Sequence, residues 1–163
     1  MNRAYYSKIY LNAFPSALDF SLLDDPDYLD NEKKYTASLV SFFTGTDSVA
    51  CSSGIPAQLS NIELKSDLNY RWLKVSCSIK GEIGQRTANL RMNLFHGDQL
   101  VKTNQVRLFY PTSSETDWNK HEFYIEVPAD LKIDHAVLLL ESFAEFRGKI
   151  KELKIFGFSE IPK

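Results

Sequence analysis

The sequence is poor in the features that announce chemistry. It has two cysteines, two methionines and three histidines among 163 residues. Two cysteines cannot build the disulfide framework of a small secreted scaffold. His96, His121 and His135 have no second histidine or cysteine at metal-ligand spacing, so each reads as a structural or surface residue. No G-x-S-x-G, H-E-x-x-H, C-x-x-C or phosphate-loop pattern is present, which removes the common hydrolase, metalloprotease, redox and nucleotide signatures. No apolar run approaches the roughly 20 residues of a membrane helix; the densest, Ala136 to Leu140, stops at Glu141. The net charge of −2 gives no basic track for nucleic acid. No apolar segment follows Met1, so no signal peptide is expected in this chain. No segment carries a 3.6-residue apolar stripe through three turns, so no long helix is expected.

Aromatic residues, by contrast, are abundant. Eight Tyr, eleven Phe and two Trp make 13% of the chain. Such a surplus fills a thick β core or forms a binding face. The length fits a single domain, 1–163, cut from a longer protein and able to bury its core without a metal or disulfide.

The dominant periodicity is two. In Arg71 to Lys80, Leu73, Val75, Cys77 and Ile79 share one face; Trp72, Lys74, Ser76 and Ser78 share the other. Cys77 therefore reads as a small apolar core residue. Ala88 to His96 repeats the pattern, with Ala88, Leu90, Met92 and Leu94 opposite Asn89, Arg91, Asn93 and Phe95. The intervening K-G-E-I-G-Q-R, with Gly81 and Gly84, suggests a hairpin joining the two. His96-Gly97-Asp98 marks a second turn. Further strands are expected at Tyr5 to Phe14, Tyr35 to Phe43, Ser48 to Ser52, Val106 to Tyr110, His121 to Val127, Ala136 to Phe143 and Lys149 to Phe156. Asp19 to Glu32 reads as an acidic loop. Strands at this spacing predict an all-β, antiparallel two-sheet sandwich.

The ordered segments I-Y-L-N-A-F (Ile9 to Phe14), K-K-Y-T-A-S-L (Lys33 to Leu39), R-W-L-K-V-S-C-S-I-K (Arg71 to Lys80), W-N-K-H-E-F-Y-I-E-V-P (Trp118 to Pro128) and G-K-I-K-E-L-K-I (Gly148 to Ile155) resemble a family. They look like the jelly-roll β-sandwich of carbohydrate-binding modules and galactose-binding-like domains. More narrowly, they resemble uncharacterised copies attached to surface and membrane proteins of Bacteroidetes. The resemblance implies a non-catalytic recognition module in the periplasmic or extracellular part of a bacterial envelope protein. The partners it implies are a glycan or another domain of the same parent chain. Members often hold a structural calcium at positions that here read Pro15, Lys33 and Lys151-Glu152. Calcium wants several anionic oxygens, so that site is expected to be lost and no cofactor is expected.

Six residues form the candidate ligand site: Trp72, Lys74, Arg91, Asn93, Phe95 and Tyr124. All have outward parity on their strands. If those strands share a sheet, they make an aromatic and polar patch suited to a glycan. If a bulge reverses the parity or a loop covers the face, they are ordinary packing. Trp118, Phe123, Tyr35 and Phe43 are assigned to the core. Glu122 and Glu126, two carboxylates on one strand face, are a catalytic alternative, and solvated strand glutamates explain them better; Ser52-Ser53-Gly54 is a turn with no base arrangement around it. Lys149, Lys151 and Lys154 read as edge-strand lysines that oppose aggregation. A structural or protein-interaction domain without a small ligand is the alternative function.

Overall fold

The computed structural model describes residues 35–65, 68–84, 87–108 and 118–160. The expected N-terminal strand Tyr5 to Phe14, the acidic stretch Asp19 to Glu32, and Pro15 and Lys33 lie outside these residues. The described strands are β1 (Tyr35–Cys51), β2 (Ala57–Glu63), β3 (Tyr70–Ile83), β4 (Ala88–His96), β5 (Gln99–Arg107), β6 (Asn119–Glu126), β7 (His135–Ser142) and β8 (Phe146–Glu160). They form two four-stranded antiparallel sheets, ordered β1-β8-β3-β6 and β2-β7-β4-β5. Every connection but β4–β5 passes from one sheet to the other, which is the jelly-roll arrangement.

Alternation drives this fold. On β4, Ala88, Leu90, Met92 and Leu94 are fully buried while Asn89, Arg91, Asn93 and Phe95 are half-exposed. Ala136, Leu138 and Leu140 of β7 meet them from the adjacent strand. From the other sheet come Leu73, Val75, Cys77, Ile79, Phe123, Ile125 and Ile155. Two inner faces of branched and aromatic side chains thus form one continuous core. The β4–β5 hairpin turns at Gly97-Asp98, as the sequence indicates, with Gly97 at φ +57°.

Several expectations change. Gly81 and Gly84 do not join a hairpin: β3 pairs with β6 and β8, while β4 pairs with β5 and β7. The segment is a crossover between sheets, because both strands bury one face against the opposite sheet rather than against each other. Ser48 to Cys51 is not a separate strand but the end of β1, which runs past two irregularities in register. β5 begins at Gln99, earlier than the Val106 expected, and positions 109 and 110 lie outside the described residues. β8 lies between β1 and β3, so Lys149, Lys151 and Lys154 are not on an edge strand. Instead Lys151 places its Nζ 4.3 Å from the ring centre of Trp118, which is half-buried rather than in the core. Cys51 and Cys77 are both free and buried. Burial pushes the Cys77 thiol up to about 12, so it stays protonated and unreactive.

Candidate functional site

The six candidate residues divide between the two sheets. Trp72 and Lys74 lie on β3 and Tyr124 on β6; Arg91, Asn93 and Phe95 lie on β4 in the opposite sheet. They cannot form one patch, because the sandwich core separates them.

The first group is mostly enclosed. Trp72 is 2% exposed and Tyr124 5%. Register places Trp72 between Phe158 and Glu126, and Lys74 between Phe156 and Tyr124. Phe158 is also buried. Their parity is opposite to that of Leu73 and Val75, yet water does not reach this part of the face. Lys74 Nζ lies 5.5 Å from the Tyr124 ring centre and 4.0 Å from Glu122. Glu122 also meets Lys120 at 2.8 Å, and Glu126 meets Lys102 at 3.6 Å. Lysines therefore occupy both carboxylates of the glycosidase alternative.

The second group lies on an open face. Four outward residues alternate along β4, and register extends each into a row across the sheet. Glu141, Asn89 and Arg107 form one row; Gln58, Leu139, Arg91 and Gln105 form the next. Asn61, Val137, Asn93 and Thr103 follow, then Glu63, His135 and Phe95. Arg91 Nη2 lies 3.1 Å from Glu141 and donates to Gln105 Oε1 at 3.0 Å. Thr103 donates to Asn93 Oδ1 at 2.7 Å. Phe95 stacks on His135 with ring centres 4.7 Å apart and planes 2° apart. His135 in turn meets Asp134 at 2.6 Å. Asp134 also accepts the Gly97 amide, and this bond, followed by the one from His135, holds its carboxyl below the usual range.

At the Glu141 end this face deepens into a cleft of about 680 Å³. Its polar lining comes from Asn89, Arg91, Gln105, Arg107 and Glu141, and its apolar lining includes Ile55 and Phe143. These last two are 67% and 82% exposed, and nothing in the strand pattern marks them as special. Both are fixed by their backbone. Ser52 and Ile55 exchange two backbone hydrogen bonds around a turn in which Gly54 takes φ +76°. The Phe143 amide donates to the Thr87 carbonyl; Thr87 Oγ1 and Ser142 Oγ are 2.8 Å apart; and the Ala144 amide donates to Ser142 Oγ. An exposed phenyl ring on a pinned turn beside a polar floor is an arrangement suited to a ligand.

Among the described residues no group of His, Cys, Asp and Glu is placed to hold a metal, and no helix is long and apolar enough to cross a membrane.

The fold and this face define an all-β jelly-roll domain with an open polar groove. No protein-family model matches the chain, and no curated relative does. Solved structures do resemble it. A structure of the Gt strain of infectious bursal disease virus matches at 10% identity and TM-score 0.49, covering 79% of this chain and 38% of that one. The Eiger TNF of S. frugiperda matches at 10% identity and TM-score 0.48, covering 80% and 94%. A family 16 carbohydrate-binding module matches at 16% identity and TM-score 0.43, covering 74% and 85%. Likeness at 10–16% identity concerns the fold alone and assigns no role to this chain.

Proposed function

We propose that this domain is a non-catalytic recognition module whose ligand is a glycan, bound along the outer face of the β2-β7-β4-β5 sheet. One observation carries the reading: the exposed, backbone-pinned Phe143 stands beside the hydroxyl-matching groups Asn89, Arg91, Gln105 and Glu141. A sugar ring offers an apolar face to an aromatic side chain and hydroxyls to amides, guanidinium and carboxylate. Asn93 and Phe95 continue the face beyond the cleft, so an extended oligosaccharide has more to touch than a single ring. Location in a bacterial envelope protein rests on the sequence resemblance alone.

A glycan array followed by calorimetry on the full chain tests the proposal. Phe143→Ala is expected to weaken binding about tenfold, the loss of one aromatic contact. Its unfolding midpoint should stay that of the native chain, since the ring is exposed. Silence across plant, host and bacterial glycans would sink the reading.

A second reading, docking of another protein domain, is favoured by β1, the terminal strand of its sheet among those described. It carries Leu39 at 47% and Phe42 at 64% exposure. Leu39→Ser with Phe42→Ser abolishing capture of a partner, without effect on glycan binding, would establish it.

A further inference from the structure

We infer that the ligand of the groove carries a carboxylate, as in a uronic or sialic acid, and that Arg107 reads it. The inference rests on the glycan reading and specifies its chemistry.

The cleft lining holds two guanidinium groups and one carboxylate. Glu141 is taken by Arg91 at 3.1 Å, and Gln105 accepts a second bond from the same nitrogen. That leaves Arg107, exposed, its guanidinium with no ion pair or hydrogen bond among the described residues. Register sets Arg107 beside Asn89 on the neighbouring strand, in the same row as Glu141. Among the described residues the cleft thus carries one uncompensated positive charge, beside the Asn89 amide and on the same lining as Phe143. The hydroxyls of a neutral sugar are already matched by Asn89, Arg91, Gln105 and Glu141, and need no second cation. A planar guanidinium matches a carboxylate in two parallel hydrogen bonds.

Arg91 adds a second sign. Its Nε is shut off from water and has no acceptor among the described residues. A buried donor without a partner is uncommon and costs stability. A guanidinium so incompletely bonded gives up less than a fully bonded one when it turns toward an incoming anion. Glu141, meanwhile, supplies an acceptor for ligand hydroxyls.

The test is calorimetry of the full chain with paired probes. Oligogalacturonate, oligomannuronate and a sialylated oligosaccharide are each compared with their methyl esters; neutral cello- and xylo-oligosaccharides and poly-glutamate serve as further probes. At least one acid should bind, and esterifying it should weaken binding about tenfold or more, the loss of a charge-assisted bond. Arg107→Gln should weaken the acid by a similar factor and the ester by clearly less, and Arg107→Lys should recover part of the loss. Added salt should weaken the acid more than the ester. Equal binding of acid and ester, indifference to Arg107→Gln, or binding of neutral glycans alone would overturn the inference while leaving the glycan reading intact. Binding of poly-glutamate alone, or of no probe, would overturn both. Arg107 is exposed, so its variants keep the fold, which a thermal unfolding midpoint verifies.

Discussion

His121 shows how burial changes a single residue. It lies on β6 opposite Cys77, with none of its surface exposed, and this burial lowers its pKa to about 4. In the unfolded chain the same ring titrates near 6.5. The folded state therefore binds fewer protons than the unfolded one between these values, and stability falls as pH drops through that window. The full contribution holds above pH ~6.5, and the loss approaches about 3 kcal/mol near pH 4. The midpoint of urea unfolding should fall between pH 6.5 and 4 more steeply in the native chain than in His121→Leu. Parallel slopes would contradict it. Trp72 and Tyr124 show the limit of reading single residues. Alternation correctly opposes them to Leu73 and Phe123, but period two separates two faces without saying which one water reaches. Phe143 shows the converse. It ends a predicted strand like any other apolar residue, and only the structure shows it 82% exposed on a pinned turn.

At the scale of elements, regular strands were legible and irregular ones were not. β4 and β7 alternate without a break, and their inward residues follow from the sequence directly. β2 escaped notice because its register shifts between Gln58 and Ser60, so Leu59 and Ile62 fall out of phase. The β3–β4 connection carries hairpin residues yet crosses between sheets. Gly84 takes φ +79° there, and a side chain on it would come within 2.0 Å of the Glu145 carbonyl oxygen. Glu145 belongs to the same β7–β8 connection as Phe143. Gly84→Ala should therefore cost about 2–4 kcal/mol in chemical denaturation, from the backbone conformation and the overlap together. On the glycan reading proposed above it should also weaken that binding, because it displaces the turn that carries Phe143. A variant as stable as the native chain would show that this crossover is not tightly packed.

At the scale of the molecule, the two sheets are tied along both sides. On one side Ser41 and Ser60 hydroxyls lie 3.0 Å apart, linking β1 to β2. On the other, Asn104 of β5 donates its amide to the Tyr124 carbonyl of β6 at 2.6 Å, near the Lys102–Glu126 pair. Asn104→Ala leaves that part-buried carbonyl without its bond and should lower stability by about 1 kcal/mol, read as a shifted denaturation midpoint. No shift would mean that water replaces the amide. The sequence by itself determined the all-β class, the inward set of Leu73, Val75, Leu90, Met92 and Leu94, and the Gly97 turn, because these depend on alternation and local backbone preference. Only the tertiary structure decided which strands share a sheet. Pairing is set by the burial of whole faces across long stretches of chain, and neighbouring strands in sequence need not touch. That decision separated Arg91 from Trp72, and it brought Ile55, Arg107 and the Glu141–Phe143 stretch from three distant segments to one cleft.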